Sequence, residues 1–473
     1  MKNAIREVRA NPRQHIPSVI VVSVASLFGV AIIDGIAILS AWMRQSRVVA
    51  ESGTALIMIA IVGVVFFTIA LFVSALVISN TFSIIVAGRS ERIALLRLIG
   101  ASTRRLRRSI SAEGLLVGTV GTTAGALVGT GASAAGVWGM ATFGDVHHLG
   151  VSLLPPWMVV PVLGTVVVTW ASAYLGSRRI MAVSPMEATG RAQDPSPDGP
   201  RRRGRHVGSL VCVVVGTTML VAGVAVGQTN PLGVFIALPG GMLSFTGLIL
   251  GSSWVMPPVQ RVVGRLFARA PAGRMAARNA SRYPVRTART TMGLVIGITL
   301  IVMFATAAAN LVRAMELSFA SSELSQEMVV ELQGVVANAV TFFSVLLGFS
   351  VLIAIVGVIN NLSLSVLQRT REIGLLRAVG LSRSAVRATI RAEATQLTVA
   401  ATTVGVVLGI GYGWAGALSL LSAIDGVGFF PPAIPWTVLL ATAVVARLVV
   451  VVASLVPARR ATRISPTTAL TAT

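Results

Sequence analysis

The chain predicts an all-α polytopic membrane protein with about ten transmembrane helices, arranged as 4 + 2 + 4 with a pseudo-two-fold repeat. Three observations carry this. The 473 residues are 54% hydrophobic and only 12% charged, with a mean hydropathy of +0.83. Soluble domains carry roughly 25% charged residues. Ten apolar runs approach or exceed the ~20 residues that a spanning helix needs. Finally, one polar stretch between apolar runs occurs twice, as RSERIALLRLIGASTRRLRRSISAEG at 89–114 and RTREIGLLRAVGLSRSAVRATIRAEA at 369–394.

The runs lie near 16–42, 55–80, 112–140, 157–177, 208–227, 231–255, 291–313, 336–362, 393–421 and 436–456. The first is longer than a signal-peptide core and lacks a convincing small-residue cleavage site, so it reads as a retained helix. The fifth and sixth are joined only by Gln228-Thr229-Asn230-Pro231. They form either a tight hairpin or a re-entrant pair. The loops at 43–54, 141–156, 228–230, 314–335 and 422–435 are too small to bury a core of their own. The 314–335 loop carries Glu316, Glu323, Glu327 and Glu331, which fits a solvated face or a short surface helix.

An offset of 280 superimposes the two polar stretches: Arg89 on Arg369, Ile93 on Ile373, Leu96-Arg97 on Leu376-Arg377, Gly100 on Gly380, Ser102 on Ser382, Arg107 on Arg387 and Glu113 on Glu393. The repeat extends further. Pro156-Trp157 opens the fourth run and Pro435-Trp436 the tenth. Arg178-Arg179 with Ser184-Pro185 matches Arg459-Arg460 with Ser465-Pro466. The predicted organisation is a first four-helix unit, 1–190, with polar segment 89–110. A proline-rich cytoplasmic linker, 191–207, follows, then a central two-helix hairpin, 208–256. The second four-helix unit, 257–473, has its polar segment at 369–391.

The formal charge of +23 raises the question of nucleic acid. The arginines instead cluster in loops on one side of the apolar runs, from Arg6, Arg9 and Arg13 through Arg89–Arg108, Arg178–Arg205, Arg261–Arg289, Arg369–Arg391 and Arg459–Arg463. The opposite loops hold only Arg44, Arg47 and Arg313. This is the positive-inside pattern of a plasma-membrane protein with both termini cytoplasmic, and no nucleic-acid partner is expected.

The repeated segments are basic and amphipathic. In the second copy Ile373, Leu376 and Val379-Gly380 fall at helical spacing, while Arg369, Arg371, Glu372 and Arg377 supply charge. Gly100 and Gly380 suit a helix C-cap. Such a segment can lie on anionic lipid or seat in a protein groove; duplication with glutamates inside favours docking. Glu113 and Glu393 stand at equivalent starts of the third and ninth helices, where either the helix dipole or a neighbouring arginine would favour them. Asp34 and Arg447 lie within apolar runs and are possible intramembrane functional charges. They could pair, Arg447 could meet an anionic substrate group, or the tenth helix could slide to bring Arg447 to an interface. His147-His148 with Asp145 lacks metal-ligand spacing. Cys212 reads as a buried inert thiol.

These residues resemble the FtsX-like permease superfamily, the membrane subunits of ABC transporters that include MacB, LolC, LolE and BceB. Arg371-Glu372-Ile373-Gly374-Leu375-Leu376-Arg377-Ala378-Val379-Gly380 looks like its E-I-G-x-L-R-A-x-G signature. Pro457-Ala458-Arg459-Arg460-Ala461 with Ser465-Pro466 looks like its closing motif. Ala277-Arg278-Asn279-Ala280 with Pro284 and Arg286 looks like its leader. The first half departs from the signature, with Glu91-Arg92 where the second has Arg371-Glu372 and Ala94 in place of Gly374. Family members usually carry a large extracytoplasmic domain between the first two helices of a unit, and here only 43–54 and 314–335 occupy those places.

The resemblance implies a membrane subunit of an ATP-driven exporter or extractor of the MacB-like mechanotransmission type. It would move a hydrophobic or amphiphilic substrate, such as a peptide, lipid-like molecule or drug. The second and eighth helices, continuous with the coupling segments, would transmit the motion. No G-x-x-x-x-G-K-[ST] motif occurs and Lys2 is the only lysine, so this chain is expected to be non-catalytic and to bind no cofactor itself. ATP and Mg would reside on two copies of a cytoplasmic ABC ATPase. Docking residues implied are Arg89, Glu91, Arg92, Leu96, Arg97, Gly100, Arg369, Arg371, Glu372, Ile373, Leu376, Arg377 and Gly380, with Glu113 and Glu393 as interface acids and membrane lipids around the rest. Rival readings are a BceB-like sensor of a resistance module and an FtsX-like scaffold controlling a cell-wall enzyme.

Overall fold

The computed structural model describes residues 12–43, 53–88, 90–143, 158–181, 200–282, 284–320, 380–424 and 426–448, with isolated positions at 334, 337, 341, 348 and 351. The described residues form helices and turns, with no strand among them. Eight of the helices are long and apolar enough to cross a bilayer, and the shorter Trp436–Leu448 helix is also apolar. Each overlaps an expected run, several extending beyond it, and the sixth run is cut short. The run at 336–362 lies largely outside the described residues. Helices are the expected solution, because a bilayer offers no water to satisfy backbone N–H and C=O groups.

The chain divides into two compact units, Met1–Pro197 with Phe319–Ile353 and Asp198–Ser318 with Ala354–Thr473. In the first, α1 (Pro12–Met43), α2 (Gly53–Gly88), α4 (Thr103–Phe143) and α5 (Val159–Met181) pack as a bundle, with the short α3 (Ser90–Leu98) between α2 and α4. Phe28, Ile32 and Ile78 are fully buried in this bundle. Glycines let the helices approach. A Cβ at Gly125 would collide with the Ser23 carbonyl of α1, and one at Gly129 would come within 3.0 Å of Val30. Ser26 donates across the same crossing to the Thr122 carbonyl at 3.0 Å. Small residues with interhelical hydrogen bonds are how membrane helices associate without a hydrophobic drive.

The second unit holds α6 (Pro200–Gly227), a 3-10 turn (Pro231–Gly233), α7 (Val234–Leu250), α8 (Ser252–Phe267), α9 (Pro271–Arg282), most of α10 (Pro284–Ala320), α11 (Arg383–Leu421) and α12 (Trp436–Leu448). The fifth and sixth runs form a tight hairpin. Asn230 caps the 3-10 turn, its Oδ1 accepting from the Leu232 N–H at 2.9 Å. Glycines at 216, 223, 240 and 247 bring the two backbones into contact along the hairpin. The hairpin is fastened to α11 by a Ser244–Tyr412 hydroxyl contact at 2.8 Å and by Gly227 against Ser419.

Four boundaries differ from expectation. The sixth run, expected to continue to 255, breaks at Gly251. Ser209 packs there where a Cβ would stand and donates to the Gly247 carbonyl at 2.7 Å. The seventh helix continues past 313 to Ala320, so Glu316 is helical and pairs with Arg313 at 3.4 Å. The third and ninth helices begin at Thr103 and Arg383, about ten residues before their apolar runs. At 1.5 Å per residue, α4 is about 60 Å long, twice the ~30 Å hydrocarbon core, so its polar first turns stand outside the apolar layer.

The α10–α11 crossing repeats α1–α4. Gly405 meets Ile298, Gly409 meets Val302, and Gly413 meets Thr306. Val30 and Gly129 correspond to Val302 and Gly409, a shift of 272 in one helix and 280 in the other. The segment after α11 folds back onto its own unit. Trp414 donates to the Phe430 carbonyl at 2.9 Å, and the Ala433 N–H donates to Asn310 Oδ1 at 2.9 Å. Asn310 and Phe430 are buried there.

Candidate functional site: a duplicated helix joint

The expected first coupling segment is a short helix, a glycine turn and the first turns of a long helix. Ile93 anchors α3 with 8% exposure, whereas Leu95, Leu98 and Ile99 point outward at 52%, 54% and 81%. Leu96 and Arg97 are half-buried. The helix ends in a Schellman motif: the Ala101 N–H donates to the Leu96 carbonyl at 2.9 Å, and the Gly100 N–H to the Arg97 carbonyl at 3.1 Å. Gly100 has φ +97°, the left-handed region where a Cβ is costly. Ser102 then caps α4, its hydroxyl accepting from the Arg105 N–H at 3.3 Å.

The second joint has the same backbone. Gly380 has φ +102°, and Ser382 caps α11 by accepting from the Ala385 N–H at 3.2 Å. Gly-x-Ser therefore recurs 280 residues apart with the same two features, a left-handed glycine and a serine that starts the next helix. Both long helices, 41 and 39 residues, lack proline and run unbroken from the joint into the apolar layer. Arg89, Arg369, Arg371, Glu372, Ile373, Leu376 and Arg377 lie outside the described residues, as do the side chains of Glu91 and Arg92.

Beyond the joints, Glu113 and Glu393 are both buried, at 6% and 5% exposure, and both are engaged by neighbouring groups. Neither stands in a first helical turn, as the sequence reading had it. Their helices start ten residues earlier, and the dipole effect fades within one turn. A helix-end dipole therefore does not explain them. Arg107 lies over the Tyr174 ring of α5, 4.5 Å from its centroid, a cation–π contact. Its counterpart Arg387 is exposed, and no aromatic residue follows Trp436 in the chain.

The two intramembrane charges occupy different surroundings. Asp34 is 1% exposed within α1, and neither carboxylate oxygen has a hydrogen-bond partner among the described residues. The Ser133 hydroxyl of α4 interacts favourably with it. The offsets of 272 and 280 carry Asp34 to Thr306 and Ser133 to Gly413, so the second unit has an uncharged pair there. Arg447 is exposed on α12, on the side that carries Leu440, Val444 and Leu448.

The sequence reading singled out Leu96 and missed Leu95, Leu98 and Ile99, the exposed apolar tip. Their spacing of three and four was the available signal. The Arg107–Tyr174 contact had no sequence signal, since it joins positions 67 residues apart. Among the described residues no group of three or more His, Cys, Asp or Glu could hold a metal ion. His147, His148 and Asp145 lie outside them. Cys212 is a half-buried free thiol.

Comparison with known proteins agrees with the duplication. The model of the FtsX-like permease C-terminal family matches twice, at residues 64–185 and 344–466. A Bacillus subtilis protein described as an uncharacterized ABC transporter permease, YknZ, is 32% identical over 145 residues, 31% of this chain and 34% of that protein. The Rhodopirellula baltica macrolide export ATP-binding/permease protein MacB is 35% identical over 134 residues, 27% of this chain and 17% of that protein. The Pseudomonas savastanoi pyoverdine export ATP-binding/permease protein PvdT is 38% identical over 123 residues, 26% and 17% of the two chains. The chain spans about a third or less of the length of these relatives. The two matched regions cover half of the chain and contain both joints, so this multi-pass membrane protein belongs to the FtsX-like permease family.

Proposed function

We propose that the chain is the membrane subunit of an ATP-driven ABC exporter or extractor in which the two joints dock on a separate cytoplasmic ATPase. The observation that carries this is the repeated joint. An exposed apolar tip, a glycine stop and a serine cap lead into a long proline-free helix, and the left-handed glycine, the cap and the long helix recur after 280 residues. Force applied at the tip passes directly into α4, and the same backbone in the second unit passes it into α11. Relatives named for macrolide and pyoverdine export support the direction of transport.

In this reading Leu95, Leu98 and Ile99 fill a groove on the ATPase, and Arg97 and Arg377 set register against its carboxylates. Two ATPase copies carry ATP and Mg, one under each joint. The arginine-rich loops place both joints and both termini in the cytoplasm. As FtsX-like four-helix repeats, which differ from the two compact units, the first spans 1–190 and the second 257–473, joined by the linker 191–207 and the hairpin 208–256. The substrate is hydrophobic or amphiphilic and is held between the helices or at the outer leaflet, because the outer loops are short.

The test is copurification and ATPase turnover in lipid nanodiscs with the candidate ATPase. Wild type is compared with Arg97→Glu, Arg377→Glu and Ile99→Asp. Loss of the ATPase or of substrate-stimulated turnover in all three supports docking. An ATPase that stays bound and stimulated in every variant overturns it. A kinase or hydrolase captured in its place moves the sensing or scaffold reading ahead.

A further inference from the structure

The arginine-rich segment after the central hairpin is the largest basic feature outside the joints, and docking does not absorb it. It begins where a spanning helix ends: α7 stops at Leu250, Gly251 breaks the chain, and α8 starts at Ser252. That places α8 at the boundary between the apolar layer and water. Its two faces differ sharply. Met256, Gln260, Val263 and Gly264 are buried. The opposite face exposes Trp254, Val262 and Leu266 at 69%, 60% and 70%, interleaved with exposed Arg261 and Arg265, and exposed Arg269 follows in the turn just past the helix.

A sharp turn follows, with Gly273 pressed so closely on the Phe267 carbonyl that a Cβ would collide with it. Helix α9 then adds exposed Arg274, Arg278 and Arg282. Residues 252–282 contain six arginines and no aspartate or glutamate. A tryptophan and aliphatic side chains among the exposed guanidinium groups of Arg261, Arg265 and Arg269 match a bilayer interface rich in phosphate. The apolar groups enter the acyl boundary, and each planar guanidinium can hold two phosphate oxygens.

We propose that α8, with the first turn of α9, binds the headgroups of anionic phospholipids in the cytoplasmic leaflet. The leaflet rests on the orientation given under the proposed function; the headgroup chemistry does not. An acidic soluble partner is the other occupant such charge would suit. Large apolar side chains on the same face, and direct continuity with a spanning helix, favour lipid. The bound headgroup is tied to the machinery through buried amides. Gln260 Nε2 donates to Thr291 Oγ1 of α10 at 3.0 Å, and Gln396 Nε2 of α11 donates to the Gln260 carbonyl at 3.3 Å. Gly264 leaves the space that Gln396 occupies. Headgroup binding thus bears on the same helix that the second joint drives.

The test uses the full chain with a single cysteine, Leu266→Cys in a Cys212→Ala background, labelled with a small fluorophore in nanodiscs. Brominated phosphatidylglycerol diluted in phosphatidylcholine is compared with the same fraction of brominated phosphatidylcholine beside unlabelled phosphatidylglycerol. The expected result is quenching favouring the anionic lipid by about fivefold or more, since a single interfacial arginine contributes about a factor of five. The preference falls toward one in Arg261→Gln/Arg265→Gln/Arg269→Gln, with a partial fall in Arg269→Gln alone. Equal quenching by both lipids overturns the proposal, as does a fluorophore that responds to added ATPase and not to lipid. Labelling of the cysteine in cells by a membrane-impermeant reagent from outside would refute the orientation and leave the headgroup measurement standing.

Discussion

The two joints share a backbone and differ in what supports it. In both, a glycine with positive φ and a capping serine lead into a long helix, and a row of glycines presses that helix on its neighbour. Around the first, Arg107 is held by Tyr174, and Asp34 lies buried against α4. Around the second, Arg387 is exposed, Thr306 and Gly413 stand where Asp34 and Ser133 do, and Gln260 and Gln396 add a brace. The common features are those that backbone geometry makes hard to replace: a left-handed turn, an N-cap, a contact too close for a Cβ. The differing features are side-chain contacts that a duplicated unit can exchange for others.

The largest effect should come from the shared helix crossings. Gly125→Leu and Gly409→Leu should each cost about 3 kcal/mol or more, because the new side chain meets backbone on the facing helix. Gly131, with nothing within 4 Å, is the control. Gly131→Ala should be neutral or stabilising by up to about 1 kcal/mol. Thermal melts in detergent followed by size-exclusion fluorescence read all three. Equal losses at 131 and 125 would mean that close approach to the facing helix does not govern these positions.

Replacing Asp34 by the residue of the second unit tests whether the difference is structural. Asp34→Thr should raise thermal stability by about 1–4 kcal/mol, because a carboxylate buried within the bundle gives way to a small neutral group. If stability rises while transport is lost, Asp34 serves substrate movement. A fall in stability would show that the carboxylate holds the bundle together.

The joints themselves should respond alike. Gly100→Val and Gly380→Val each force a branched residue into a left-handed conformation, a local penalty of about 1–3 kcal/mol. Both should reduce coupled ATP hydrolysis by similar factors in the reconstituted complex. A large loss at one joint and none at the other would mean that only one copy transmits.

The smallest effect separates the supports. Tyr174→Leu should destabilise the first unit by about 0.5–2 kcal/mol through loss of the ring beneath Arg107. Arg387→Ala should change stability by less than about 0.5 kcal/mol, because its side chain is exposed. Melting both variants beside wild type gives the comparison directly.

Much of this was legible in the chain. Gly100, Ser102, Gly380 and Ser382 announce the joints, because a C-cap glycine and an N-cap serine act on their own backbone within a few residues. Where α4 begins was not legible. Residues 103–111 are polar and resemble loop, yet they prolong a helix already nucleated by the apolar run. The break at Gly251 was hidden for the opposite reason: the apolar pattern runs through it, and the cause is Ser209 on another helix. The spacing of Leu95, Leu98 and Ile99 puts them on one face of α3, but that this face turns outward was set by the rotation of α3 about Ile93.

By itself, the sequence determined the membrane class, the expected spans and the twofold repetition. In a bilayer every backbone hydrogen bond must close locally, so composition over some twenty residues decides whether a segment becomes a spanning helix. The tertiary structure alone decided which glycines bear contact, as Gly125 does and Gly131 does not. It also decided that Asp34 is enclosed while Arg447 is exposed, and that Arg107 rests on Tyr174. Each of these depends on the rotation and depth of one helix against another. Those follow from packing between residues far apart in the chain rather than from any local pattern.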